Sequence, residues 1–518
     1  MLKFYVSFIV VIYCMLRIIE ANDDGTVSFI REANSTTLKQ KYDYIVVGGG
    51  TAGCAIAATL SQRYKVLVLE RGGSPYGNPL LLRIENSGTN FANPGGLEAP
   101  NQAFTSEDGV ASIRPNVLGG GSSINGAVYN RAPDEFISDA KLDKNLVESS
   151  YAWVEKVVAS RPRNFSAFQN SIRGALLEVG VTPDFGFTYK YVVGTKTTGN
   201  TFDSHGRRHP SSDLLLAYAN RKNIDVLLHA SVYKVLLQGG RSRGVLYTDN
   251  LGRSHTALLS SKRSEVIISA GALGSPQLLM LSGVGPKAHL EEIGIPVILD
   301  LPMVGKGMGD NPTNTILLRS RIPVGSLIEQ VVGVSTSNFS AGGYVLSQDS
   351  GAIAGEVNGP LSTGELFLKS TNASETPRVK FNYFQNPVDL QRCIAGVNTL
   401  EEMVLSRSMA ALVFGNQSLP SGGTVSSPDR RNATLVASGS VNRTISEFCR
   451  RNVSTNYHYH GGCPLGEVVD WSFRVKVLKG LRVVDGSTFL STPGTNPQAT
   501  VMMLGRYSIL FSSGSLSI

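Results

Sequence analysis

Three glycines and one acid carry the strongest chemical signal in this sequence. The stretch Tyr44-Ile-Val-Val-Gly-Gly-Gly-Thr-Ala-Gly53 is followed by Lys65-Val-Leu-Val-Leu-Glu70. Together they spell a strand, a glycine turn, a helix and a second strand ending in a carboxylate. In such a pattern Gly48 permits the tight turn, Gly50 lets backbone N–H groups approach a pyrophosphate, and Gly53 lets the helix pack closely on the strand. Thr51 and Ala52 open that helix and belong to the same anion-facing turn. Glu70 stands twenty residues beyond Gly50, where a carboxylate accepts hydrogen bonds from ribose hydroxyls and repels a 2′-phosphate. The expected ligand is an adenine dinucleotide without that phosphate. A purely structural glycine turn is the alternative; the apolar run before it, the Ala-rich helix after it and the terminal acid all favour the ligand.

These elements need a large scaffold. At 518 residues, 42% hydrophobic and 17% charged, the chain exceeds one hydrophobic core and implies two or three domains without extensive disorder. The net charge of +8 comes from scattered basic residues, with only short pairs such as Arg207-Arg208 and Arg450-Arg451. That is a solvated basic surface, and no nucleic-acid partner is expected.

Residues 1–21 read as a signal peptide: Lys3 precedes an apolar run from Phe4 to Leu16 that is too brief to span a bilayer comfortably, with cleavage after Ala21. An uncleaved anchor is the alternative. Eight Asn-x-Ser/Thr sequons, at Asn34, Asn164, Asn338, Asn372, Asn416, Asn432, Asn442 and Asn452, fit a secreted glycoprotein. Of five cysteines, Cys14 lies in the leader, and the others lack C-x-x-C or metal-ligand spacing, so no metal site is expected. In an oxidising compartment Cys393 and Cys449 are the expected disulfide. Cys54 falls in the core of the nucleotide helix.

Farther along, Leu118-Gly-Gly-Gly-Ser-Ser-Ile-Asn-Gly126 is a second glycine cluster, after a Gly-, Pro- and Asn-rich stretch at 73–112 that reads as loops. Amphipathic helices are expected near Tyr151 to Ser160 and Phe165 to Val179. Strand patterns return at Ile224 to His229 and Glu265 to Ser269, the latter entering Ala270-Gly-Ala-Leu-Gly-Ser-Pro-Gln-Leu-Leu-Met-Leu-Ser-Gly-Val-Gly285. The first domain is therefore discontinuous. A last apolar strand, Leu481 to Gly486, leads through Thr492-Pro-Gly-Thr-Asn-Pro-Gln-Ala-Thr500 into a helix ending near Tyr507.

Arg114 to Asn125 and Gly271 to Gly285 resemble the two signatures of the glucose-methanol-choline (GMC) flavin oxidoreductases. Tyr457-His-Tyr-His-Gly-Gly462 and Asn496 to Tyr507 are similar to the plant branch that includes HOTHEAD and the mandelonitrile lyases. The resemblance covers most of residues 41 to 507. It implies an α/β fold: a Rossmann-type FAD-binding domain (41–131 and 221–311) interleaved with an α+β substrate domain carrying an antiparallel sheet (132–220 and 312–455). A C-terminal FAD-binding and catalytic part (456–507) and a tail (508–518) complete it. FAD replaces the unspecified dinucleotide. Besides the first turn and Glu70, the implied cofactor residues are Arg71, Gly119, Gly120, Ser122, Ser123, Asn125, Val232, Asp485, Gly486, Asn496, Pro497 and Gln498. Gly119, Gly120, Ser122, Ser123 and Asn125 would supply donors to the flavin and its ribityl chain. Asp485-Gly486 would meet the ribityl or pyrophosphate groups, and the helix after Asn496 would point its positive end at the flavin.

Oxidising an alcohol removes a hydroxyl proton and passes the carbon-bound hydrogen to flavin N5 as hydride, so a base must face the ring. The spacing of His458 to Gly461 and Gly466 matches the family's catalytic histidine. His460 would face the opposite side of an extended segment, as a packed or supporting residue. Histidines 205, 209, 229, 255 and 289 do not cluster and read as structural. The second catalytic position, often histidine in the family, is Asn496, which can hydrogen-bond the substrate oxygen but cannot carry a proton. The leading expectation is an FAD-dependent alcohol oxidoreductase acting on a small-molecule alcohol. A hydroxynitrile lyase that splits a cyanohydrin around a non-redox FAD is the runner-up. A non-catalytic flavoprotein is the third reading, prompted by residues 340 to 365, which look shortened, and by the serine-rich tail.

Overall fold

A computed structural model describes residues 27–35, 38, 40–87, 99–163, 165–320, 330–347, 350–413 and 444–512. The expected leader, Cys14, the sequons at Asn164, Asn416, Asn432 and Asn442, and the end of the tail lie outside them.

Near-continuous Val, Ile and Leu runs, such as Val66–Leu69, suit strands covered on both faces. Six strands form an all-parallel sheet in the order Ile30–Glu32, Ile224–Leu228, Val66–Leu69, Tyr44–Val47, Glu265–Ile268, Leu481–Val483. The chain runs outward on one side from Tyr44–Val47 and returns on the other at Glu265–Ile268. That reversal opens a crevice at the carboxyl ends of the strands, where doubly wound folds take their ligands. The buried helix Thr51–Leu60 starts there, and Gly505 of the last helix, Gln498–Ser512, packs on it so closely that a Cβ would lie 2.6 Å from Ala52 O.

A second sheet orders Ser454–Thr455, Pro312–Arg319, Ser350–Val357, Phe339–Ser347, Val331–Val334, Gly194–Thr197 and Asp184–Phe187, antiparallel except for the last pair. Helices Ala167–Glu178 and Pro387–Val404 bury Phe168, Ile172, Val397 and Leu400 in one core with Phe339 and Ile353 of this sheet. The expected disulfide, Cys393–Cys449, ties Pro387–Val404 to the helix Ile445–Arg451. Cys54 is buried.

Two expectations change, and two further segments gain definition. Residues 101–115 are not loop but a hairpin, Asn101–Thr105 with Ala111–Pro115, turned at Gly109 with φ +80°. Ahead of the first motif strand, Ile30–Glu32 adds a strand to the sheet edge, too short to show a period. The last helix does not stop near Tyr507 but runs to Ser512, whose hydroxyl accepts from Arg482. Within residues 340–365, Phe339–Ser347 and Ser350–Val357 pair as antiparallel strands inside the second sheet, with a register shift between Val345 and Ser347.

Candidate active site

At the crevice the two glycine clusters meet back to back. Gly48 adopts φ +96°, and a Cβ there would lie 2.4 Å from Ser269 O; one at Gly53 would lie 2.0 Å from Gly48 O. Gly120, at φ +56°, crosses so close to the first turn that its Cβ would lie 2.9 Å from Gly50 Cα. Gly119 is also left-handed, at φ +89°. At Gly50, by contrast, a Cβ would meet nothing nearer than 3.8 Å, so that side of the turn is open. The first-turn N–H groups at Thr51, Ala52 and Gly53 have no intrahelical acceptor, no side chain caps them, and no acid lies in that turn. These residues fit a pyrophosphate.

Glu70 is buried, and its two carboxylate oxygens accept from Gly49 N and Gly72 N, each at 2.8 Å. Burial raises its pKa. Each oxygen keeps a lone pair for a ribose hydroxyl. The Arg71 side chain turns away to Gln102 and the Pro115 carbonyl. Val232 is the second residue of the strand Ser231–Gln238, two residues past Ala230, whose N–H donates to Glu70 O.

The serines of the second cluster are spent inside it. Ser122 donates to Gly119 O and accepts from Ser211 N, Ser123 donates to Leu118 O, and both are fully buried. The N–H groups of Gly119 and Gly120 are spent as well, on Gly49 O and Val117 O, which leaves the Asn125 amide nitrogen as a side-chain donor of the loop. Asp485 is likewise turned inward: its carboxylate accepts from Gly271 N, the Ser275 hydroxyl and Ser487 N, anchoring the second signature helix, Gly271–Leu281. Gly486 O accepts from Gly461 N, which joins this elbow to the histidine segment. Gln498 reaches the Val128 carbonyl with Nε2, leaving its buried Oε1 without a partner. Pro497 precedes it, half-buried, at the start of the last helix.

His458 follows Tyr457, whose φ of +60° is costly for an aromatic residue and turns the chain at this point. Asp310 holds the segment: it accepts from His458 N (2.8 Å), the Thr455 hydroxyl (2.6 Å) and the Tyr383 hydroxyl (2.6 Å). His458 is 7% exposed. Its Nε2 lies 3.4 Å from Asn496 Nδ2, while Nδ1 lies 3.3 Å from Glu356 Oε2 and 3.2 Å from Asn311 Nδ2. Burial alone would raise the Glu356 carboxyl, but the His458 imidazole, then the Asn456 amide and the Ser340 hydroxyl, pull it below its ordinary value. The orientation of Asn496 is set from behind. Thr198 donates to Asn130 Oδ1 (2.6 Å), and Asn130 Nδ2 faces Asn496 Oδ1 (3.4 Å), which leaves the Asn496 amide N–H groups toward the histidine. His460 packs over Gly309 with Nδ1 on the His458 carbonyl, and burial pushes it down to about 4, a neutral packed residue.

An imidazole between a carboxylate and an amide is an arrangement able to take up and release a proton. Comparison with known proteins gives the family. The GMC oxidoreductase family profile matches residues 42–313 in its N-terminal part and 360–505 in its C-terminal part. This chain belongs to that family. It is 44% identical to an (R)-mandelonitrile lyase-like protein of Arabidopsis thaliana, covering 93% of this chain and 92% of the relative. It is 42% identical to the sinalpyl alcohol oxidase Nec3 of Nesocodon mauritianus, covering 92% and 90%. The fold superposes on pyridoxine 4-oxidase from Mesorbium loti with a TM-score of 0.77 at 21% identity, covering 91% of this chain and 99% of that one.

Sequence reasoning on this GMC oxidoreductase missed Glu356, Asp310, Asn311 and Asn130. Glu356 sits in the interior strand Ser350–Val357, yet it is an acid at a fully covered position, and that contradiction was the available signal. Asn130 and Asn311 carry no such mark.

Proposed function

We propose that the protein is an FAD-dependent oxidoreductase that oxidises the CH–OH group of an alcohol. The observation that carries this reading is the array Asn496, His458, Glu356, converging beside the glycine elbows. The elbows at 48–53 and 119–125, with Glu70 and the 485–486 and 496–498 segments, would hold the cofactor. Bound FAD supplies a hydride acceptor at N5.

The chain's own residues manage the proton. With Nδ1–H donating to Glu356, the lone pair of His458 is on Nε2, facing Asn496. The Asn496 amide then donates to the substrate hydroxyl oxygen while Nε2 takes its proton. Glu356 next stabilises the imidazolium, the role a buried carboxylate plays behind a histidine base. Asn311, held by the carbonyls of Gly494 and Thr495 at 3.3 and 3.4 Å, packs beside Nδ1. Asparagine cannot exchange protons, so transfer rests on His458 alone.

The domain division is part of the proposal: the parallel-sheet body binds cofactor, and the seven-stranded sheet with its helices presents substrate. So is export. The leader motif, the disulfide and the sequons support it, with Asn338 and Asn372 exposed and open to a glycan. Purified protein should be yellow, and an alcohol added without oxygen should bleach it. A flavin that stays oxidised while mandelonitrile releases cyanide would assign the lyase reading, which the resemblance to mandelonitrile lyase-like relatives motivates. A colourless folded protein would refute both.

A further inference from the structure

Arg208 was read from sequence as one of a surface basic pair, yet it is fully buried beneath the second glycine elbow. No carboxylate pairs with it among the described residues. Its guanidinium lies over the Phe202 ring at 4.4 Å, and Nε donates to Leu81 O at 3.1 Å. The rest of the fork grips Asn125: Nη1 donates to Oδ1 at 3.0 Å and Nη2 to the main-chain carbonyl at 2.7 Å. Asn125 Oδ1 also accepts from Ala127 N at 3.0 Å. With two donors on the oxygen, the amide has one orientation, and Nδ2 has no protein partner among the described residues. Asn125 is half-buried and its Nδ2 is not sealed away, so the unspent donor is accessible to a ligand.

We propose that Arg208 is a positioning residue that locks the Asn125 amide so that Nδ2 serves as a hydrogen-bond donor to the bound cofactor. The inference rests on the reading that this elbow holds FAD. A planar fork is needed because one face must satisfy a side-chain oxygen and a backbone oxygen at once, a geometry that lysine's point charge does not reproduce. Burying a cation without a counter-charge costs stability, and burial brings this guanidinium down to about 9.

The test compares FAD dissociation constants of reconstituted wild type, Arg208→Lys, Arg208→Met and Asn125→Asp by flavin fluorescence, alongside the melting temperature of each apoprotein. Loss of one well-made donor corresponds to about tenfold in affinity. That loss is expected in both Arg208 variants and in Asn125→Asp. The aspartate is the decisive variant, since its carboxylate would pair with Arg208 and keep the apoprotein folded while replacing the outward donor by an acceptor. A purely structural Arg208 would lower the melting temperature of its variants but leave the FAD affinity of folded Arg208→Met and Arg208→Lys intact. Asn125→Asp binding FAD within about twofold of wild type would overturn the proposal, as would Arg208→Met doing so. If the wild type itself takes up no FAD, the reading of the elbow falls first and this inference with it.

Discussion

Glu356 is the residue on which the proton chemistry turns after His458. Glutamine in its place would offer an N–H to Nδ1, favouring the tautomer with its proton on Nε2, where it can no longer act as base. Glu356→Gln is expected to lower kcat about 10²-fold with flavin content unchanged, measured by steady-state turnover of the holoenzyme. His460 makes a second prediction through pH. Folded, it titrates near 4; unfolded, near 6.5. Between those values the unfolded chain binds a proton that the folded chain refuses. Its contribution to stability is therefore full above about pH 6.5 and declines as pH falls toward 4, by about 3 kcal/mol in all. Urea midpoints across that range should show the loss, and His460→Gln should flatten it. The glutamate could not be read from spacing, because a strand of the second sheet brings it to the histidine segment; the packing of His460 could, from its two-residue offset from His458.

The first glycine turn shows what an element contributes beyond its motif. Gly48 and Gly53 are needed for the turn to close on its own helix, whereas Gly50 has room for a Cβ on its open side. Gly53→Val should therefore fail to fold, and Gly50→Val should fold yet hold no FAD, as judged by circular dichroism and visible absorbance together. An equally unfolded pair would contradict the division. This turn, its helix and the flanking strands were legible because local pattern and ligand geometry coincide in a few consecutive residues. The hairpin 101–115 was not, since its glycine- and proline-rich surroundings mask a short alternation. The serines at 122 and 123 show the same limit at finer grain. Their place in the motif is evident, but the direction of their hydroxyls is decided by Ser211 and the loop's own carbonyls.

Across the whole molecule, discontinuous segments are pinned together by few but specific ties. The disulfide closes a loop of 56 residues in sequence, and Cys393→Ser should cost about 2–4 kcal/mol in denaturant unfolding while leaving flavin and turnover in place. The interleaving of the two bodies was legible from the return of strand patterns at 224 and 265. The seven-stranded order was not, because pairing between distant strands leaves no local trace. One interior strand brings Glu356 to His458, and the residue just before another, Pro312–Arg319, is Asn311, so the missed topology and these missed site residues share one cause. The central claim is that His458 removes the substrate proton as the flavin is reduced. Single-turnover flavin reduction by an alcohol under anaerobic conditions tests it directly, in wild type and His458→Ala matched for flavin content. The account predicts bleaching in the wild type and a rate about 10²- to 10⁴-fold lower in the variant; equal rates in the two proteins would contradict it.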